Sequence, residues 1–169
     1  MPSSHYSNIN PTIKFFRDAN PRPLNVMDLG CGKGNIGVAV RDVFPEVRFS
    51  GIDIFEKNVE LAFNRTLKNG EYAYSSVVLQ DIRQLFPIDA YDLFLAYDVL
   101  EHLYKEEAIK IILHYKGKLL VSIPLGEYPQ GAMGGNIYEV HKATWYHDEI
   151  MEFATKCLYK GRILGVYLC

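Results

Sequence analysis

Nine residues limit this chain more than any others: Val26-Met27-Asp28-Leu29-Gly30-Cys31-Gly32-Lys33-Gly34. A short apolar run breaks into three alternating glycines, after which Ile36, Val40 and Val43 recur at helical spacing until Pro45. Glycine admits positive φ and lets the backbone approach a ligand closely, and the helix start beyond it presents unpaired N–H groups. The segment therefore reads as strand, ligand-holding turn, helix.

The same alternation continues down the chain. Strands are expected at Leu24 to Leu29, Val47 to Ile54, Ser75 to Gln80, Leu93 to Ala96 and Lys118 to Ile123. Between them, Val59, Ala62, Phe63 and Leu67 mark one helix, stopped by Asn69 and Gly70, and Leu103 to Tyr115 form another. Residues Ile82 to Pro87 have room for one turn only. Strands alternating with helices give a doubly wound α/β fold, a mostly parallel sheet with helices on both faces. No linker, repeat or low-complexity tract divides it, so residues 1–169 are expected to form a single domain.

The two ends depart from this regularity. Asn10 and Pro11 signal the cap and first turn of a short helix, halted by Pro21 and expected to cover a sheet edge. Residues Pro124 to Asn136, rich in Gly and Pro, form a long irregular stretch that reads as a lid over the substrate. Thr144 then caps a last helix burying Ile150, Phe153, Ala154 and Cys157, with Asp148 and Glu149 in its first turn. Gly161 ends that helix and Ile163 to Leu168 form one final strand. With a single strand there, the sheet is expected to lack a full C-terminal antiparallel hairpin. Such an edge would be trimmed, completed by residues beyond Cys169, or covered by a partner, so the chain is expected as a monomer or homodimer.

Composition narrows the function. Eighteen basic and twenty acidic side chains leave a net charge of −2, which offers a phosphate backbone no overall attraction. Nucleic acid is therefore not an expected partner, and a small-molecule substrate is. No apolar run reaches eighteen residues, so no membrane span is expected. Three cysteines, Cys31, Cys157 and Cys169, lack metal-type spacing and fit a reducing, cytoplasmic setting.

Two cofactor classes fit the glycine turn at first. Gly32, Gly34 and Gly37 also satisfy a dinucleotide-binding pattern, with Asp53 at the expected distance beyond it. Asp28 separates the two, because a carboxylate facing the turn repels a pyrophosphate and suits a cation. The run Asp28-Leu29-Gly30-Cys31-Gly32-Lys33-Gly34 resembles the DLGCGxG motif of class I S-adenosylmethionine-dependent methyltransferases, among them small-molecule and quinone-type enzymes with a Rossmann-like sheet. The resemblance runs from about Leu24 to Ile123. It implies S-adenosylmethionine as cofactor, with Asp28, Gly30, Cys31, Gly32 and Gly34 around its methionine part. It further implies that Asp53 takes both ribose hydroxyls, that Ile54 packs on adenine, and that Asp81 and Ile82 serve the adenine amino group and ring. Tyr97, Asp98 and Val99, within Ala96-Tyr97-Asp98-Val99-Leu100-Glu101-His102-Leu103, would line the cofactor on its substrate side.

On that side His102 is the candidate general base, with His141 a second candidate. Tyr97, Tyr104, Tyr128, Tyr138, Trp145 and Tyr146 cluster nearby in sequence and could grip a planar acceptor. Two alternatives accompany the small-molecule reading. The order Asp98, Glu101, His102, His141 resembles the metal-binding set of small-RNA 2′-O-methyltransferases, although the first position there is Glu and this chain has no RNA-binding appendage. No metal is assigned on that resemblance. The other alternative is a non-catalytic cofactor-binding module. His5, His114 and His147 receive no role.

Overall fold

The computed structural model describes residues 7–84 and 86–169, so His5 lies outside the described residues. Seven strands form one sheet in the order β3-β2-β1-β4-β5-β7-β6. In chain order they are β1 (Asn25–Leu29), β2 (Arg48–Asp53), β3 (Ser76–Leu79), β4 (Leu93–Tyr97), β5 (Leu119–Pro124), β6 (Lys156–Lys160) and β7 (Leu164–Leu168). The helices are α1 (Ile9–Asp18), α2 (Asn35–Arg41), α3 (Glu56–Phe63), α4 (Lys105–His114) and α5 (His147–Met151). The first five strands are parallel, which bears out the doubly wound reading.

The central strands are apolar at nearly every position because both their faces are covered. Neighbouring residues therefore enter different cores. Met27, Phe94, Leu119 and Val121 pack with Ile111, Ile112 and Tyr115 of the α4 side, while Val26, Leu95 and Leu120 pack with Phe16 and Val40 on the α1–α2 side. Phe94 and Tyr115 stack with ring centroids 4.0 Å apart.

Two expectations for the C-terminal part need correction. The antiparallel hairpin is present: β7 pairs antiparallel with β5, and β6 pairs antiparallel with β7. The segment read as the second half of a helix is strand β6, since α5 stops at Met151. Phe153, Ala154 and Cys157 do pack against the core as their spacing implied, the first two from the turn that follows α5, with both N–H groups donating to the Ile150 carbonyl at 3.0 Å, and Cys157 from β6. The Thr155 N–H donates to the Leu168 carbonyl at 2.7 Å, and this long-range pairing selects strand over helix.

Helix α1 begins at Ile9, so Asn10 and Pro11 lie inside its first turn, and Asn8 precedes it. It touches the edge strand β6, as expected, and it also reaches the central strands. Asn8 donates from Nδ2 to Ser122 Oγ at 3.2 Å, and Thr12 Oγ1 lies 2.6 Å from the Tyr97 hydroxyl, which sets the helix across the ends of β4 and β5. Helix α3 also ends earlier than its apolar spacing suggested: Leu67 is buried from the loop that Thr66 and Tyr72 close by an antiparallel bridge. No described helix is long and apolar enough to cross a membrane.

Candidate active site

Strand order reverses at β1, which lies between β2 and β4. Open α/β sheets hold ligands in the crevice outside the carboxyl ends of the strands at such a point. A cleft of about 770 Å³ opens there, and Asp28, Gly30, Cys31, Gly32, Asp53, Ile54, Asp81, Ile82, Tyr97, Asp98 and Val99 all line it. Of the residues implied for the cofactor, Gly34 alone stands back from the cleft. It starts α2 at φ +77°, and a Cβ there would come within 3.2 Å of the Ala62 Cα.

The glycine turn is clamped to β2. The N–H groups of Gly30 and Cys31 both donate to the Ile52 carbonyl at 2.9 Å, and the Gly32 N–H donates to Asp53 Oδ2 at 2.9 Å. At Gly30 a Cβ would lie 2.5 Å from Val99 Cγ2, so this wall admits no side chain. At Gly32 a Cβ would meet nothing within 4 Å, which leaves bare backbone facing open space in the cleft. The Cys31 thiol is buried and raised far above its usual range by desolvation and the charges of Asp28 and Asp53, so it is no nucleophile.

Asp28 and Asp53 both line the cleft beside this turn. Asp28 is 1% exposed, and burial pushes its carboxyl up to about 7; its hydrogen bond from Tyr74 opposes the rise, and the Asp53 charge adds to it. Tyr74 was not anticipated from sequence. Its hydroxyl donates to Asp28 Oδ2 at 2.6 Å and accepts the Gly37 N–H at 3.2 Å. A Cβ at Gly37 would lie 2.5 Å from the Tyr74 ring. The third glycine of the dinucleotide-like pattern therefore makes room for the phenol that steadies Asp28.

Asp53 is also held above the usual carboxylate range by burial, against hydrogen bonds from the N–H groups of Phe55 and Gly32 and from Asn58. Asp81 behaves oppositely. Arg83 donates to it from the backbone N–H and the guanidinium, which lowers its carboxyl and takes up its acceptor positions. An adenine amino group would have to share Asp81 with Arg83.

At the other end of the cleft stand Glu101 and His102, in a 3-10 turn (Leu100–His102) after β4, and His141, beyond the loop. Asp98, at φ +52°, accepts from Ser122 Oγ at 3.2 Å. The rings of His102 and His141 lie 5.0 Å apart. Burial, and then the nearby His141, bring the His102 imidazole down to about 4, so it is neutral at pH 7. Glu101 is 2% exposed and its carboxyl is raised by burial and the Asp98 charge.

The aromatic cluster divides. Tyr97, Tyr128 and Tyr138 line the cleft, together with Pro129, Gln130 and Met133 of the loop read as a lid, and so do Asn8 and Ile9, which the sequence gave no reason to place there. Trp145 is core, and Tyr104 and Tyr146 are exposed away from the cleft lining.

A family model described as a methyltransferase domain matches residues 27–120, more than half of the chain. Among solved structures, the magnesium protoporphyrin IX methyltransferase of Synechocystis PCC 6803, with bound S-adenosylhomocysteine, is similar at 21% identity and a TM-score of 0.66, covering 98% of this chain and 84% of that one. The mitomycin 7-O-methyltransferase is similar at 18% identity and a TM-score of 0.63, over 99% of this chain and 55% of that one. The plantazolicin methyltransferase, in complex with a substrate analogue and S-adenosylhomocysteine, reaches 19% identity and a TM-score of 0.54, with 73% and 48% covered. At these identities the likeness establishes the fold, and the chain spans about half the length of the last two. No curated protein is a significant match to the sequence.

Proposed function

The chain belongs to the methyltransferase-domain family and S-adenosylmethionine is its cofactor; from this premise we propose that it transfers a methyl group to a small-molecule acceptor. The observation that carries the reading is that two buried carboxylates, Asp28 and Asp53, line one cleft together with the bare backbone of Gly32. Asp28 suits the positive charge of the methionine part, and Asp53 suits the paired ribose hydroxyls. Ile54 and Ile82 offer apolar contact to the adenine, and Tyr97 and Val99 close the wall toward the acceptor.

When bound, the cofactor supplies a methyl group on a sulfonium, a reaction that asks mainly for alignment. Holding two reactants in line is worth roughly 7–11 kcal/mol of barrier. The loop side chains Tyr128, Met133 and Tyr138 supply an apolar, partly aromatic acceptor end. A cleft of about 770 Å³ accommodates a cofactor together with a small acceptor. His102 lines that end as a neutral imidazole, a weak base whose main contribution is a lone pair. A net charge of −2 favours small acceptors over nucleic acid, and three free thiols suit a cytoplasmic setting.

The test is formation of S-adenosylhomocysteine from S-adenosylmethionine in the presence of pooled phenols, hydroxyquinones and carboxylic acids. Acceptor-dependent product that disappears in Asp53→Ala supports the reading. Cofactor binding without product from any acceptor replaces it with a non-catalytic module, and binding of NADH instead would make the chain a dehydrogenase.

A further inference from the structure

Charge is unevenly placed in this molecule. Among the described residues seven acidic and three basic side chains line the cleft, whereas the whole chain has an acidic excess of only two. The cofactor accounts for part of this. Sulfonium, ammonium and carboxylate leave S-adenosylmethionine with a single net positive charge, and its end of the cleft sets Asp28, Asp53 and Asp81 against Lys33 and Arg83. The acceptor end sets Asp98, Glu101, Glu127 and Glu139 against Lys142 alone. The Lys142 ammonium is engaged elsewhere, 5.4 Å over the ring of Tyr104, a residue outside the cleft lining.

Glu101 marks where a ligand belongs. It is 2% exposed, and its Oε2 is buried with no hydrogen-bond partner. A buried carboxyl oxygen left unpaired is costly. The Glu101 carbonyl accepts from the N–H groups of Lys142 at 2.8 Å and Ala143 at 3.1 Å, which ties its turn to the segment beyond the loop. Glu139, in that segment, accepts from Asn136 Nδ2 at 3.2 Å through Oε1, and its Oε2 lies 3.9 Å from His102 Nε2. His102 is neutral at pH 7 and brings no counter-charge. Among the described residues neither Glu101 nor Glu139 forms an ion pair with a lysine or arginine.

We propose that the acceptor is an arylalkylamine, bound as its ammonium by Glu101 and Glu139, with its ring among Tyr128, Met133 and Tyr138. An ammonium carries donors only, so it satisfies the unpartnered Oε2 and meets the acid excess together. Burial, and then the Asp98 and Glu139 charges, favour a proton on Glu101; an ammonium against Oε2 favours the carboxylate instead, and the displaced proton passes to solvent. The same acids repel acceptors that carry a carboxylate or phosphate, so the end of the cleft selects by repulsion as well as attraction. Loop side chains Tyr128, Met133 and Tyr138 give the ring apolar and aromatic contact. The ammonium is a recognition group that orients the acceptor toward the methyl. As an acceptor site it rests on the methyl-transfer reading; as an amine site it stands on Glu101 and Glu139.

Tyramine and tryptamine are the probes, each titrated by calorimetry beside its amine-free counterpart, 4-ethylphenol or 3-ethylindole, with S-adenosylhomocysteine in excess. At least one amine is expected to bind about tenfold or more tighter than its counterpart, the worth of one charge-assisted hydrogen bond. That preference should fall to about twofold or less in Glu101→Gln, while the counterpart binds as before. Glu139 is not buried, so Glu139→Gln, expected to weaken the amine by severalfold, keeps the test open if Glu101→Gln fails to fold. Neither amine binding tighter than its counterpart, or a preference that survives both substitutions, overturns the proposal. Titrating S-adenosylmethionine, and then the amines without nucleoside, separates the two readings. Cofactor binding without an amine preference removes the amine site alone, and an amine preference without cofactor binding removes the methyl-transfer reading alone.

Discussion

Replacing Asp28 by Asn is expected to stabilise this protein while weakening its hold on the cofactor, and the stabilisation must grow with pH. Burial lifts the Asp28 carboxyl to about 7, from an ordinary value of 3.8. Between those values the folded chain keeps a proton that the unfolded chain has released. Stability is therefore lost as pH rises through this window, and the loss levels off above 7. Linkage puts the cost of Asp28 at about 2 kcal/mol at pH 5 and about 4 kcal/mol at pH 8, relative to a neutral side chain of the same shape. Asn has that shape, and its carbonyl oxygen can still accept from Tyr74. The advantage of Asp28→Asn should thus increase by about 2–3 kcal/mol between the two pH values, on the order of 5–10 °C in Tm for a domain of this size. Other buried groups, Glu101 and His102 included, titrate in both chains and cancel in the difference. Trp145, the sole tryptophan and 1% exposed, reports unfolding in urea through its fluorescence. A variant no more stable than the parent at pH 8, or an advantage that does not change with pH, would refute the burial argument.

Two further outcomes follow from the same site. Gly37→Ala should drive a methyl into the Tyr74 ring and cost about 1–3 kcal/mol of stability by overpacking, visible as a lower urea midpoint; an unchanged midpoint would mean that the ring has room to move. Cofactor affinity should fall about tenfold per pH unit from pH 7 down to pH 5, because a cation prefers Asp28 ionised and must displace its proton; calorimetry giving a flat profile would separate Asp28 from the ligand.

The half of the fold that positions the cofactor was legible because its signals are local. Each βα unit announces itself by an apolar run, a glycine or acidic residue at the strand end, and a helical period. Parallel topology then carries Asp28, Asp53, Asp81 and Asp98 to one edge of the sheet without further information. The hairpin was not legible. Strand β6 is half-exposed and carries a bulge between Cys157 and Tyr159, so it lacks a clean two-residue alternation, and Ile150, Phe153, Ala154 and Cys157 imitate a helix. Tyr74 was missed for a different reason. Its partner Asp28 lies 46 residues away, and no local pattern marks a tyrosine before a strand as the donor to a buried acid. Asn8 likewise meets Ser122 across 114 residues, so the sequence showed α1 at the sheet edge, where it does touch β6, but not at the mouth of the cleft. The His102–His141 pairing lay between: both residues stood out by type, but long-range contacts, among them the backbone bonds from Lys142 and Ala143 to Glu101, bring their segments together.

The most direct test is calorimetric titration of S-adenosylmethionine into the unaltered chain and into Asp53→Ala at pH 7.5. The account predicts saturable binding to the first. It predicts at least a ten- to hundredfold loss in the second, since charge-assisted hydrogen bonds worth about 1.5–3 kcal/mol disappear and the Gly32 turn loses its anchor. Equal affinity in the two proteins, or no binding to either, would contradict it.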